Sequence, residues 1–498
     1  MKARLLRGFL AIFGGNLTVK LLTVAFVPIL VRFVGSDGYG EYAFVLSTMW
    51  LLLIVANSGI FTSVRKFLPE DRDRPDWEQE VFGFYLRLAA VLVALVVAVV
   101  AGAIASGFVE VWLGQPFPTY FGLLCLMLVG TQFHSLTRSA LMAFGREPAS
   151  ETLHAGQKAL FVFLSVAFLV AGWDVAGVLF AYAIASVTVA VAGFGLLARH
   201  VSLRGTLGRA DADFPRWELL RYNLLTIALI GATFSLYHVD IVLLQTVHGS
   251  QETGLYRASL QVAEFLWLVP IVVATVFVHS LSELWSSGQR DLVERISARA
   301  TRYTLLLTLL FAIGVVALAD PFVRLYFGPE FMASVGPLLV LLPGALGFAV
   351  ARQLFAVGQA KGDLRTLIWA TGTAAVLNLG LNLLLIPPFG MWGAAVATSV
   401  GYGSMGLLHV RAARTIGFDP LADIRAGRIA ATAVGATPVI VGASALIENA
   451  VLALVVVPPL GGLVYAAVAL KTGAVDAEEV VDVVGHLPPP ADRVAAWL

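Results

Sequence analysis

The chain is 498 residues long, 59% hydrophobic and 13% charged, where soluble domains run near about 45–50% and 25%. Its 33 Lys and Arg stand against 32 Asp and Glu, a net charge of +1 that marks neither a nucleic-acid nor an acidic partner. The single cysteine, Cys125, excludes an intrachain disulfide and reads as a small core residue.

Fourteen apolar runs of roughly membrane-spanning length, about 20 residues each, follow one another along the chain. They cover 8–34, 39–63, 82–107, 117–144, 153–172, 175–198, 219–246, 254–286, 301–319, 334–359, 365–386, 391–414, 429–447 and 450–470. The first run holds Asn16, Lys20 and Pro28, and no small-x-small site precedes GSDGYG, so it reads as a helix rather than a cleavable signal. Long charged gaps at 65–80 and 198–221 mix both signs with Pro and read as solvated linkers. Of the 33 basic residues, 25 fall in alternate gaps or at the run ends that border them, and one, Arg324, in the other gaps. Lys and Arg are retained in cytoplasmic loops. That places both termini in the cytoplasm of a cell-membrane protein. The fold class expected is all-α, a polytopic membrane protein of about 14 helices.

The chain also repeats itself. Gly35, Ser36, Gly40 and Tyr42 match Gly249, Ser250, Gly254 and Tyr256 at an offset of 214. LMAFG (141–145) matches LFAVG (354–358) at 213, and Gly177 matches Gly393 at 216. Six helices restore the starting orientation, which predicts two parallel, pseudo-symmetric six-helix lobes. The expected domains are 1–210 and 211–420, then a helix pair at 421–475 and a cytoplasmic tail at 476–498.

Ionisable groups in hydrocarbon cost about 2.5–3.5 kcal/mol each on insertion scales and normally face a cavity or a partner. Asn16 and Lys20 share one face of the first helix. The fourth carries Gln132, Ser135, Arg138 and Ser139, the fifth Lys158, the seventh Asp240. Arg257, Gln261 and Glu264 form a stripe on the eighth, continued by Thr275 and Ser282; the tenth offers Arg352 and Gln353, the eleventh Asn378 and Asn382. Candidate substrate-binding residues are therefore Lys20, Asn16, Arg138, Lys158, Arg352, Gln353, Gln261, Asn378 and Asn382. Asp240 and Glu264 are candidates for coupling to Na⁺ or H⁺. Each has a blander alternative. Lys158, Arg138 and Arg352 lie near helix ends and can snorkel, Glu264 can pair with Arg257 or Arg302, and the asparagines can bond helix to helix.

No Walker loop, dinucleotide glycine pattern or Cys/His metal spacing occurs. The reading is a non-enzyme without a cofactor. A scaffold would explain the hydrophobicity but not polar stripes on seven helices.

Four segments carry a resemblance. VPILVRFVGSDGYGEYAFVLS (27–47), DIVLLQTVHGSQETGLYRAS (240–259), PFVRLYFGPEFMASVGPLLVLLPG (321–344) and NLGLNLLLIPPFGMWGAAVATSVG (378–401) resemble, as a set, the polysaccharide flippases of the multidrug/oligosaccharidyl-lipid/polysaccharide exporter superfamily. The resemblance implies two six-helix lobes that pass a polyprenyl-linked oligosaccharide to the outer leaflet by alternating access. It also implies cationic residues that meet the lipid's phosphate, membrane lipids as partners, and glycan polymerase or transferase machinery nearby. Helices 13 and 14 look like the extra pair that shapes a lipid-tail groove in 14-helix flippases. The rival is a cation-coupled drug exporter of the same superfamily, which usually has 12 helices and acidic coupling residues in its first lobe.

Overall fold

In hydrocarbon every backbone N–H and C=O must find a partner within the chain, and a helix satisfies them segment by segment. The computed structural model describes residues 2–57, 59–70, 72, 74, 76–201, 213–267, 270, 289–361 and 364–479, and among them it holds helices and no strand. In chain order these are α1 (Lys2–Asn57), α2 (Ile60–Phe67), α3 (Trp77–Ala105), α4 (Phe108–Leu113), α5 (Phe117–Ala143), α6 (Glu147–Val170) and α7 (Asp174–Leu197). After the described gap come α8 (Arg216–His248), α9 (Ser250–Ala263) and a 3₁₀ turn (Glu264–Trp267). Then follow α10 (Arg290–Tyr326), a second 3₁₀ turn (Pro329–Ser334), α11 (Val335–Lys361), α12 (Leu364–Ile416), α13 (Ala426–Ala445) and α14 (Ala450–Thr472).

Among the described residues, eleven helices are long and apolar enough to cross a bilayer. Two of them are double. At 1.5 Å per residue, α1 with 56 residues and α12 with 53 run to roughly 80 Å against an apolar layer of about 30 Å. Each breaks at one glycine, Gly35 in α1 and Gly390 in α12. The expected pairs 8–34 with 39–63 and 365–386 with 391–414 are thus continuous paths with a corner and no loop. The described residues supply thirteen crossings. The remaining expected run, 254–286, is described only through its first turns; Thr275 and Ser282 lie outside the described residues, as do 202–212 and the tail from 480. The ninth helix is longer than its apolar run, because α10 starts at Arg290 with charged, helix-favouring residues.

Contacts gather residues 1–257 with 375–394 into one compact unit and 258–374 with 395–498 into a second. In the first, Phe44, Met49, Phe117, Phe121 and Leu124 form one core cluster. Val64, Phe67, Trp77, Phe82 and Tyr85 form another beneath the charged 65–80 stretch. That stretch is tied down: Arg72 pairs with Glu70 at 2.7 Å and Glu218 at 2.8 Å. In the second unit Leu306, Ile313, Ile440, Val457 and Tyr465 join α10 to α13 and α14. Outward faces are apolar too, as on α3, where Val91 and Val99 are 63% and 64% exposed two turns apart. An apolar stripe turned away from the core has lipid as its solvent.

The repeat extends to backbone conformation. Gly35 (φ 66°, ψ −169°) and Gly249 (φ 84°, ψ −172°) adopt the same left-handed corner. Gly114 (φ 75°, ψ −171°) and Gly328 (φ 109°, ψ 167°), also 214 apart, do likewise. Asp174 (φ 44°) and Gly390 (φ 54°) share positive φ at an offset of 216. The match at 145 and 358 does not extend so far: Gly145 has φ 67°, whereas Gly358 lies inside α11. The repeated corners also touch. A Cβ on Gly40 would overlap the Ser250 carbonyl oxygen, and one on Gly254 would overlap that of Ser36. Ser36-xxx-Gly40 and Ser250-xxx-Gly254 are small-xxx-small faces, which let helix backbones meet.

Candidate functional site

In the first unit the cations collect around α5 and α6. Arg138 on α5 donates to Glu151 on α6, Nη2 at 2.9 and 3.1 Å and Nε at 3.3 Å. The two residues lie seven before and six after Gly145, so the antiparallel corner brings them to one depth. Arg138 and Arg65 both stand over the Phe61 ring, 5.9 and 5.5 Å from its centroid. Lys158 lies 4.7 Å from Phe161 and 5.9 Å from Phe26. Arg65 is exposed and Arg138 and Lys158 half-buried, and cations over aromatic faces are stabilised by the ring quadrupole. One turn of α5 away, His134 stacks on His154 of α6, centroids 5.8 Å apart. Both ring nitrogens of His134 and Nδ1 of His154 are buried without a hydrogen-bond partner. Asn16 and Lys20 stay exposed on α1.

Other polar residues of this unit bond helix to helix. Gln132 donates to the Ala56 carbonyl at 3.0 Å, and Asn57 donates to Ser135 at 3.2 Å. Within α12 itself, by contrast, Asn382 donates to Asn378 at 3.1 Å, both buried. Asp240, buried, accepts from the Tyr256 hydroxyl at 2.6 Å. Glu252 accepts from Met391 N at 2.9 Å, and His248 Nε2 stands 2.8 Å from the Ile386 carbonyl, so the α8–α9 corner holds the Gly390 corner of α12.

In the second unit Arg352 lies 5.6 Å from the centroid of Phe355, and Gln353 donates to the Pro270 carbonyl at 2.9 Å. Gln261 is buried on α9, and Glu264 opens the 3₁₀ turn after it. A cleft of about 490 Å³ is lined by Phe265, Leu310, Gly314, Leu318, Ile440 and Val457, from that turn and from α10, α13 and α14. Its wall is almost wholly apolar. At the far end of α14 a charge cluster closes the unit. Arg302, fully buried, meets Glu479 at 2.5 Å and Asp423 at 3.3 Å, Tyr303 donates to Glu479 at 2.8 Å, and Arg425 meets Asp476 at 2.7 Å. Burial pushes the Glu479 carboxyl up, but hydrogen bonds from Arg302 and Tyr303 outweigh it and hold the group below the usual carboxylate range.

The candidates thus fall into two groups. Arg138, Lys158, Lys20, Asn16, Asp240, Asn378 and Asn382 belong to the first unit, and Arg352, Gln353, Gln261 and Glu264 to the second. Sequence reasoning passed over Glu151, took Arg65 only as a marker of sidedness, and saw His134 and His154 singly but not as a stack. The near-equal spacing of Arg138 and Glu151 about Gly145 was the available signal.

Long apolar helices that double back at single glycines, with cations gathered in the first unit and an apolar cleft in the second, define a polytopic membrane protein. The sequence profile of the polysaccharide biosynthesis protein family matches residues 5–285, and that of the lipid II flippase MurJ matches residues 159–465. The chain belongs to the polysaccharide biosynthesis protein family, within the multidrug/oligosaccharidyl-lipid/polysaccharide exporter superfamily. A probable low-salt glycan biosynthesis flippase, Agl15 of Haloferax volcanii, is 22% identical over 81% of this chain and 82% of its own. The probable flippase AglR of the same organism is 24% identical over 82% and 83%. Among solved structures, the lipid II flippase MurJ in an inward closed conformation superposes with a TM-score of 0.76 at 13% identity, covering 94% of this chain and 98% of that one. An inward-facing multidrug resistance transporter of the MATE family reaches 0.68 at 14% identity, over 80% and 94%. At such identities these likenesses show the fold.

Proposed function

We propose that the protein is a flippase that carries a polyprenyl-(pyro)phosphate-linked oligosaccharide from the cytoplasmic to the outer leaflet by alternating access, for surface polysaccharide or glycoprotein synthesis. The observation that carries this reading is the apolar cleft against α13 and α14, which suits a prenyl chain and which a carrier of small polar solutes would not need. The glycan's hydroxyls cannot enter hydrocarbon without losing water partners, at roughly 2–7 kcal/mol each. Polar and cationic residues of the spanning helices replace those partners, with Lys20, Arg138, Lys158 and Arg352 meeting the phosphate and Asn16, Gln261, Gln353, Asn378 and Asn382 the sugar. Asp240 and Glu264 are the carboxylates through which Na⁺ or H⁺ would couple. Both termini face the cytoplasm, and the sequence halves 1–210 and 211–420 are the alternating parts. Glycan polymerase or transferase machinery is the expected neighbour.

Depleting the protein tests the reading. Lipid-linked oligosaccharide should accumulate on the cytoplasmic leaflet with its synthesis intact and surface glycan reduced. The MATE-like fold favours one rival, a cation-coupled exporter of drugs or other solutes. Unchanged surface glycan with a fall in toxic-cation resistance would establish that rival instead.

A further inference from the structure

The Arg138–Glu151 pair contains an acid that the flippase reading does not use. Glu151 is 1% exposed, and its carboxylate occupies both Nε and Nη2 of Arg138. It is packed from α1 as well: a Cβ on Gly15 would stand 2.8 Å from Oε2 and 3.0 Å from the Glu151 Cβ. Around this carboxylate the charge is lopsided. Arg65 shares the Phe61 ring with Arg138, Lys158 lies two turns along α6, and Glu147 is the one other acid of that helix. His134, 8% exposed, offers two ring nitrogens that nothing accepts from or donates to. Two guanidiniums about one ring, the exposed Arg65 and the half-buried Arg138, with an unsatisfied imidazole one turn of α5 from Arg138, form a site with more donors than the buried Glu151 carboxylate can use.

We propose that Glu151 holds the place of a phosphate: the first unit takes the phosphate end of its substrate on Arg138 and Arg65, exchanging the Arg138–Glu151 pair for an Arg138–phosphate pair. This rests on the flippase reading for the nature of the substrate. The chemistry requires exchange rather than addition. The fork of Arg138 that meets Glu151 is its planar, bidentate face, and a diphosphate set beside a buried carboxylate would be repelled by it. A carboxylate is a weaker anion than a diphosphate, so it can keep a buried cation partnered while the site is empty and still be displaced. Glu151 is therefore a positioning residue that acts through Arg138. Because its place depends on the bare backbone at Gly15, the pair is sensitive to where α1 lies, and α1 also carries the exposed Lys20 and Asn16.

The test is titration of the purified full chain in detergent with farnesyl diphosphate and with inorganic pyrophosphate. Glu151→Gln keeps the shape and removes the charge. It should bind farnesyl diphosphate about tenfold more tightly than the native protein, the scale of one charge-assisted hydrogen bond that no longer has to be broken. Arg138→Gln should bind at least as much more weakly. Gly15→Ala, which crowds Glu151 without altering any charge, should tighten binding by a smaller factor and serves if Glu151→Gln does not fold. A merely structural Glu151 would lower affinity when replaced. Weaker or unchanged binding in both Glu151→Gln and Gly15→Ala overturns the inference. So does binding that Arg138→Gln leaves untouched. Equal response to inorganic pyrophosphate assigns the site to the phosphate itself, and a response to farnesyl diphosphate alone assigns it to the lipid headgroup; either supports the exchange. The leaflet assay in cells decides the flippase reading independently of these titrations.

Discussion

Gly40 and Gly254 stand 214 residues apart, and each lies against the backbone that begins the other's helix. The contact is reciprocal: Gly40 faces the Ser250 carbonyl and Gly254 faces that of Ser36. Exchanging the two copies of the repeat maps this contact onto itself, as a local two-fold axis requires. Neither position can gain a methyl group without moving backbone.

Gly40→Val should therefore cost about 1–3 kcal/mol, the usual penalty for overpacking a close contact. Thermal unfolding in detergent checks this, with Gly102→Val on α3 as control, since a Cβ there meets nothing within 4 Å. A stability loss no larger than the control's would show that the two helices do not need their close approach.

The Arg302–Glu479 pair predicts an acid-sensitive end to the second unit. Glu479→Ala leaves a buried guanidinium with Asp423 as its remaining acid at 3.3 Å, so the loss should fall toward the lower part of about 3–5 kcal/mol. Arg302→Met with Glu479→Leu should regain most of it. The native Glu479 carboxyl sits below its ordinary value of about 4.3. A depressed carboxyl lends its stability above the unfolded value and loses it as the pH falls through the folded one. The gap in melting temperature between native protein and Glu479→Ala should thus be constant near neutrality and close below about pH 4.

The apolar cleft can be filled without strain. Gly314 lines it, and a Cβ there meets no atom within 4 Å. Gly314→Leu should hold or slightly raise stability, by about 0.5–1 kcal/mol from helix propensity, while lowering the rate of flipping in proteoliposomes. An unchanged rate with bulk in the cleft would mean that the lipid tail does not use it.

Lys20 is exposed on α1, four residues beyond the exposed Asn16. Lys20→Ala should reduce flipping strongly at normal protein level, and Lys20→Arg should retain part of it, since the charge persists while its geometry changes. Wild-type flipping by Lys20→Ala would remove this residue from the phosphate site.

The crossings were legible in the sequence because apolar length is a one-dimensional signal. So was the repeat, and the corners at Gly35 and Gly249 show why: a left-handed residue is nearly confined to glycine, so the backbone leaves a mark in the alphabet. Asp174 hides the same corner under another letter. The partners of the polar stripes were not legible. Gln132 and Ser135 read as lining for a wet surface, yet they bond to α1, a choice set by which helix comes alongside. Arg138 read as a cation awaiting substrate, while Glu151, which meets it, lies in the gap between the runs 117–144 and 153–172 and drew no role. Pairing across a corner depends on depth, and depth is fixed only when both helix axes are known.

The corners at Gly35 and Gly390 bear on how a shift passes along the chain. A single non-helical residue joins two crossings there, with helix on either side of it. Neither pair of crossings therefore has slack between its arms, so a shift of one arm of α1 or of α12 is passed directly to the other. An epitope or protease site inserted at either corner should add that slack and uncouple the two arms.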